Sequence, residues 1–454
     1  MGLLSLIKNF RAPALPIATK EYNEQAANQT ASILRLYFNQ LDQLLGQIVA
    51  TIIPTGTEDD PLYVGTYDSR GRLHVTNPQT VFFNTFQYGM ETDVWDTSNT
   101  SGGTAVFDTD TSSVRMGVTS TVGSKCIRQT LNVQRYIPGR AASLSFSIRL
   151  QTPVAGIRRR FGLYDDNNGF FFEDDGGVYS CVIVSNASGS TVYNRVVRAD
   201  WNGDKLDGTG ASGIIADPTA IQLITVNYEW YGAGQIVFQF IIDGNPITIQ
   251  TFSTANLQSL PWCKTPFLPI RLEIENTGAA TGPHYMWQGS NSLINDGNTT
   301  KLGIAQNILT PTAGIALTAA NTFYPVVSIR LKSTALQGIV LPTAFQAATL
   351  DNTNIFFKLI RNATVNGTWT DMPDANSFAQ YNYTSTGTIT DGVDLFSGFL
   401  QAGSGGVVNK LDPDTVYQIG RSALGTVSDT LTLAIAAVNA NKTGVGALTW
   451  IEQR

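Results

Sequence analysis

The sequence predicts a mainly β protein. An N-terminal arm and helix are followed by two antiparallel β-sandwich domains of the jelly-roll or concanavalin-like kind. Three observations point there. Charged residues make up 14% of the chain, against ~25% in an average soluble domain. Thr, Ser, Asn and Gly mix with β-branched residues, a composition that suits strands joined by polar turns. Apolar and polar residues alternate in short runs, broken by Gly or Asn every ~8–12 residues, which marks an antiparallel sandwich.

At 454 residues the chain exceeds the ~250–300 at which a single core stops growing, so several domains are expected. Residues 1–53 divide into an extended arm, set by Pro13 and Pro16, and an amphipathic helix. In the helix Leu34, Leu41 and Ile48 recur every seven residues, with Tyr37 and Leu44 between them and Phe38, Leu45 and Ile52 beside them. This pattern fits either a helix on the side of a domain or a docking helix shared between copies. Pro54, Gly56 and Pro61 end it and open a linker over 54–74.

A large sandwich is expected over 75–290. Its strands include Val114–Val118, Leu144–Leu150, Val178–Val184 and Ile236–Ile242, the last closed by the turn residues Asp243-Gly244-Asn245. A Gly/Asn/Ser-rich stretch from Gly289 to Thr300 reads as a boundary. A second sandwich then fills 301–454, with inner strands at Phe323–Leu331 and Ile355–Ile360 and closing strands at Leu431–Ala437 and Ala447–Ile451. No fixed-period repeat is present, which argues against propellers and solenoids.

Net charge is −6 and the isoelectric point about 5.0. The electrostatic footprint of a nucleic-acid binder is missing. Arg158-Arg159-Arg160 is the only basic cluster and reads as a strand edge or subunit contact. Three widely separated cysteines form no metal spacing and no disulfide framework, which fits assembly in a reducing cytoplasm. The apolar opening Met1–Ile7 is too short for a signal peptide or a membrane span, so a soluble protein without membrane insertion is expected.

Among candidate chemistry, the acidic groups Asp165-Asp166, Glu173-Asp174-Asp175 and Glu273/Glu275 come first. Glu273 and Glu275 alternate along one strand and share a face, as two carboxylates flanking a sugar would have to; alternate strand residues more often simply face water. Asp200, Asn202, Asp204 and Asp207 make an oxygen-rich loop that suggests calcium. Lys205 stands where an EF-hand needs Gly, however, and Ala211 where it needs Glu, so a tight loop of backbone-capping carboxylates is favoured, with calcium as the alternative. Trp201, Trp230 and Trp262 are available to stack on sugar rings or to fill a core. No nucleophile elbow, P-loop, dinucleotide fingerprint or Cys/His pair is found, and no catalytic residue is assigned.

Several stretches are distinctive as a set: Ile33–Asp42, Gly71–Pro78, Tyr136–Arg140, Arg160–Gly169, Asp200–Gly208 and Leu268–Asn276. With them the chain resembles, from about residue 30 to 290, a group of virion structural proteins of tailed bacteriophages of marine and cyanobacterial type. The C-terminal domain fits more loosely. The resemblance implies a non-enzymatic particle component with no catalytic residues to carry over. The expectation is a tail, baseplate or fibre protein, assembled in the host cytoplasm as a homo-oligomer with a trimer favoured. Residues 1–53 would dock to other virion proteins, since an apolar helix and arm would otherwise stand exposed on a monomer. The sandwiches would project outward as spacers or as heads for a host glycan. The alternatives are a capsid decoration or head-fibre protein, a glycan depolymerase spike, and a plain carbohydrate-binding module.

Overall fold

Alternating burial along the strands shows directly why they form sheets. Ala142, Leu144, Phe146 and Ile148 are buried, while Ser143, Ser145, Ser147 and Arg149 are half-buried between them. This period of two puts every apolar residue of the segment on one face. A computed structural model describes residues 78–453, apart from 279, 298–302, 403–406 and 412–416, and ahead of them only Ser32, in helical conformation. The expected arm, the rest of the docking helix (Leu34, Tyr37, Phe38, Leu41, Leu44, Leu45, Ile48 and Ile52) and the linker lie outside the described residues.

The first sandwich runs through β1 (Pro78–Asn84), β2 (Trp95–Thr100), β3 (Thr104–Asp108), β4 (Ser113–Val118) and β5 (Lys125–Thr130). It continues through β6 (Ala142–Arg149), β7 (Ile157–Tyr164), β8 (Gly169–Asp175), β9 (Val178–Ser185) and β10 (Val192–Val197). A 3-10 turn at Arg198–Asp200 precedes β11 (Gln222–Tyr228), β12 (Gln235–Ile242), β13 (Asn245–Ser253), β14 (Ile270–Asn276) and β15 (His284–Asp296). One sheet orders β13-β12-β11-β6-β15-β4-β3, with β1 also on β15; the other orders β10-β9-β8-β7-β14-β5-β2. Neighbouring strands in both are antiparallel.

The second sandwich comprises β16 (Ile304–Leu309), β17 (Ile315–Leu317), β18 (Tyr324–Leu331), β19 (Ile339–Thr349), β20 (Ile355–Arg361) and β21 (Thr370–Asp371). Completing it are β22 (Ala379–Asn382), β23 (Val393–Leu400), β24 (Val407–Lys410), β25 (Thr430–Ala437) and β26 (Lys442–Gln453). Its sheets order β16-β26-β19-β24, with β17 on β26, and β21-β22-β18-β25-β20-β23. Two expectations need correction. The stretch from Gly289 to Thr300 is not linker from its start: β15 continues to Asp296, because Leu293 and its neighbours pair with β6, and the second sandwich opens with β16. The arginine triplet is no strand edge either, since β7 lies between β8 and β14.

Turn chemistry follows the sequence. Asp243 and Gly244 both have positive φ, 52° and 77°, and join β12 to β13 through a two-residue hairpin that twists with its strands. Between the two large sheets a core of aromatic and aliphatic side chains includes Trp95, Phe146, Phe161, Phe170 and Phe238. Polar groups are embedded in it. Arg128 is fully buried, donating to Gln288 Oε1 at 2.8 Å, Thr97 Oγ1 at 3.1 Å and the Met90 carbonyl at 2.8 Å. Arg159 pairs with Asp174 at 2.7 Å, both wholly inaccessible, and reaches across to the Tyr285 carbonyl at 3.2 Å.

The Arg159–Asp174 pair sits where desolvation opposes ionisation. Burial raises Asp174 above its ordinary range, although Arg159 pulls the other way. Losing one partner strands the other charge. Asp174→Ala is therefore expected to cost about 3–5 kcal/mol, read as a fall in the urea midpoint. Replacing both residues together, Arg159→Met with Asp174→Leu, is expected to recover most of that loss.

Candidate functional site

The outward face of the sheet built from β10 to β2 is covered by charge, and the sign is set strand by strand. In one row across the sheet Glu173 of β8 meets Arg160 of β7, which meets Glu273 of β14. In the next row on the same face stand Asp175, Arg158, Glu275 and Lys125 of β5. Acidic strands thus alternate with basic ones, so each charge has opposite neighbours directly across the ladder.

The distances close this lattice. Arg160 Nε donates to Glu173 Oε2 at 2.7 Å, and Arg195 of β10 donates to Glu173 Oε1 at 2.7 Å. Glu273 takes Arg271 Nη2 at 2.8 Å and Lys125 Nζ at 3.1 Å, with Arg160 Nη1 at 3.7 Å. Arg158 pairs with Glu275. Aromatic rings share the face: the Arg160 guanidinium lies 5.0 Å from the Phe171 ring centre and that of Arg271 5.2 Å from Tyr164. Tyr164, Phe171, Val182 and Val184 form a small buried cluster there. Gly162 is needed in its row, because a Cβ would lie 2.2 Å from the Phe170 carbonyl oxygen.

Electrostatics fix the protonation of this face. Burial alone would raise Glu273, but Arg271, Lys125 and Arg160 together bring it from 4.5 down to about 2. Glu173 is likewise held low: hydrogen bonds from Arg195 and Arg160 outweigh its burial. A carboxylate held so low carries no proton near neutrality and cannot act as a general acid. Glu273 and Glu275 do share a face, as the alternation predicted, but both are ion-paired into the lattice.

Beside the lattice, where the second sandwich packs against the first, lies a cleft of about 480 Å³. The first sandwich contributes Gln129, Asp165, Asp166, Phe267 and Arg271; the second contributes the segments around Gln337, Phe378 and Arg421. Backbone and side-chain bonds hold the two walls together. Arg421 N donates to the Leu131 carbonyl at 2.8 Å and Ala423 N to Asp96 Oδ2 at 2.7 Å. Gln337 Nε2 donates to Asp165 Oδ2 at 2.5 Å, and Arg361 pairs with Asp93. Several polar atoms of the cleft wall have no hydrogen-bond partner: Arg421 Nε and Nη2, Arg271 Nε and Gln129 Oε1.

The other sequence candidates fall elsewhere. Trp201 and Trp262 are buried, 6% and 3% exposed, in the core of the first sandwich. Trp230 is half-buried and donates to the Cys263 carbonyl at 2.9 Å. Of the two roles open to them, stacking on sugars or filling a core, two of the three indoles take the second, because the strands around them need bulk to fill the space between sheets. In the oxygen-rich loop, Asp204 accepts from the amides of Leu206 at 2.8 Å and Ser212 at 2.7 Å. Asn202 clamps Thr251 and Asp207 accepts from Thr209, while Asp200 is exposed. These side chains close the loop onto β13. Among the described residues no three His, Cys, Asp or Glu side chains converge for a metal ion.

Of the cleft residues only the acidic pair Asp165-Asp166 stood out in the sequence, whereas the lattice had a fuller signature. Arg158-Arg159-Arg160 and Glu173-Asp174-Asp175 are mirror images about the β7–β8 turn, and antiparallel pairing matches them one to one.

No known family and no curated protein matches the chain. Solved structures do. A cellulose-induced protein is 17% identical, with 48% of this chain and 99% of that chain covered and a TM-score of 0.31. A pseudo beta-1,3-glucanase of Mycobacterium tuberculosis is 13% identical, covering 48% and 99% with a TM-score of 0.34. A legume lectin-like domain from Entamoeba histolytica is 10% identical, covering 46% and 95% with a TM-score of 0.28. The expectation of a non-enzymatic chain is withdrawn, since structures named as a beta-1,3-glucanase and a glucan-product GH16 complex are among those it matches; likenesses at this level show the fold alone.

The lattice has a pH signature. Glu273 is depressed on folding, so its contribution is complete above 4.5 and is lost as pH falls towards 2. That contribution is on the order of 3 kcal/mol. Glu273→Gln is expected to lower stability by about that amount at neutral pH, with the gap to the parent protein closing as unfolding is followed down through this window.

Proposed function

We propose that the chain is a structural component of a bacteriophage particle, carried on the tail, that receives a host-surface glycan in the cleft between its two sandwiches. Residues 1–53 serve as the anchor to other virion proteins and between copies, three being the favoured number. The first sandwich and its neighbour form the displayed part.

The observation that carries the glycan reading is the chemistry of the cleft wall. Buried donors on Arg271 and Arg421 and a buried acceptor on Gln129 lack partners, and unmet polar groups at a site favour a ligand that supplies both donors and acceptors. Phe267 and Phe378 are half-buried beside them, giving apolar surface for the faces of sugar rings. Hydroxyl groups around an apolar ring face are the pattern of a saccharide, and a concave site where polar groups converge beside apolar surface is where small ligands bind. The particle assignment rests on the sequence resemblance and on the sticky N-terminal segment.

Two measurements test this reading. Immunogold labelling of intact particles is expected to mark the tail; gold on the head shell moves the protein to a head fibre, and unlabelled particles reject the assignment. Isothermal titration of the full chain with host envelope polysaccharide is expected to show saturable binding, weakened about tenfold in Phe267→Ala, the worth of one good aromatic contact. Full-strength binding in that variant takes the glycan out of the cleft.

A further inference from the structure

The cleft contains two aspartates and two arginines, and their bonding is unequal. Arg271 has a carboxylate on each terminal nitrogen, donating Nη1 to Asp166 Oδ1 at 2.7 Å and Nη2 to Glu273 Oε2 at 2.8 Å, with only Nε unmet. Asp165 is also spent. Its Oδ1 accepts the amides of Asn167 and Asn168, each at 2.9 Å, and its Oδ2 accepts Gln337 at 2.5 Å. Arg421 is the group left over. It is 4% exposed, its nearest carboxylate oxygen, on Asp165, stands 3.9 Å away, and neither Nε nor Nη2 has an acceptor.

A buried guanidinium without a hydrogen-bonded counter-ion is costly. Its five donors in a flat fork match a carboxylate better than any neutral group. Burial pushes Arg421 below its ordinary range, Asp165 opposes that, and the neighbouring Arg271 adds to it. An incoming anion would relieve both effects. Asp166, with its side chain 66% exposed at the mouth, disfavours an anion that stays at the rim.

We infer that the cleft is selective for an acidic saccharide, a uronic or sialic acid unit, whose carboxylate is held by Arg421 while its ring lies against Phe267 and Phe378. This deepens the glycan reading proposed above and rests on it. Specificity then comes from one ionic contact in a desolvated wall, because a site with a buried unpaired donor rejects a ligand that cannot meet it.

The test uses the full chain and a panel of short oligosaccharides ending in glucuronate, galacturonate or sialate, each paired with its carboxyl-reduced counterpart, followed by isothermal titration. At least one acidic member is expected to bind roughly tenfold or more tightly than its reduced partner, the worth of one charge-assisted hydrogen bond. Arg421→Gln is expected to erase that difference. Because Arg421 is buried and its loss could disturb folding, Leu424→Trp at the exposed rim of the cleft provides a second variant, expected to block acidic and reduced members alike. Reduced members binding as tightly as acidic ones, or a preference that survives Arg421→Gln, overturns the acidic-ligand inference and leaves the glycan reading standing. Absence of binding by every member, together with no titration by host polysaccharide, overturns both.

Discussion

Everything on the candidate face depends on the two-sidedness of β14. Ile270, Leu272 and Ile274 point into the core while Arg271, Glu273 and Glu275 point out, and both sets are fixed by pairing to β7 and β5. A slip of one residue would turn three charges into the apolar core and three aliphatic side chains onto the charged face. Hydrophobic burial on one side and charge pairing on the other therefore specify the same register. The central strand is locked twice.

That lock explains how so many ionised groups can sit at low exposure. An isolated surface ion pair contributes little, because its attraction is screened and its side chains lose freedom. Here Glu173, Glu273 and Glu275 each have two or three cations, held in place by a rigid sheet and shielded by Phe171 and Tyr164. Glu273 feels three of them, and their sum overcomes the cost of burial. The Arg159–Asp174 pair inside the core shows the other regime, in which one partner is not enough to offset desolvation.

The same rigidity positions the cleft. Asp165 and Asp166 sit at the β7–β8 turn, Arg271 begins the outward row of β14, and the second sandwich brings Arg421 and Gln337 to meet them. The backbone amides of Arg421 and Ala423 fix that meeting, the first on the Leu131 carbonyl just past β5 and the second on the Asp96 carboxylate of β2. Arg421 is left with two donors unmet and no hydrogen-bonded carboxylate, while Arg271 beside it is bonded to Asp166 and Glu273, and this inequality gives the cleft its chemical character.

Much of the fold was legible in the sequence. Alternation placed β4, β6, β9 and β12 close to where they lie, Asp243-Gly244 marked its hairpin, and the shared face of Glu273 and Glu275 followed from period two alone. These are local consequences of backbone geometry, which any short segment carries by itself. The mirrored triplets Arg158–Arg160 and Glu173–Asp175 also held their pairing in the sequence, recoverable by folding the chain about the turn between them. Which tryptophans are buried, that β15 runs through a Gly- and Asn-rich stretch, and that Arg421 faces Asp165 from a distant part of the chain could not be read that way. Those features come from sheets stacking and sandwiches meeting, where long-range packing decides which polar group finds a partner and which is left without one.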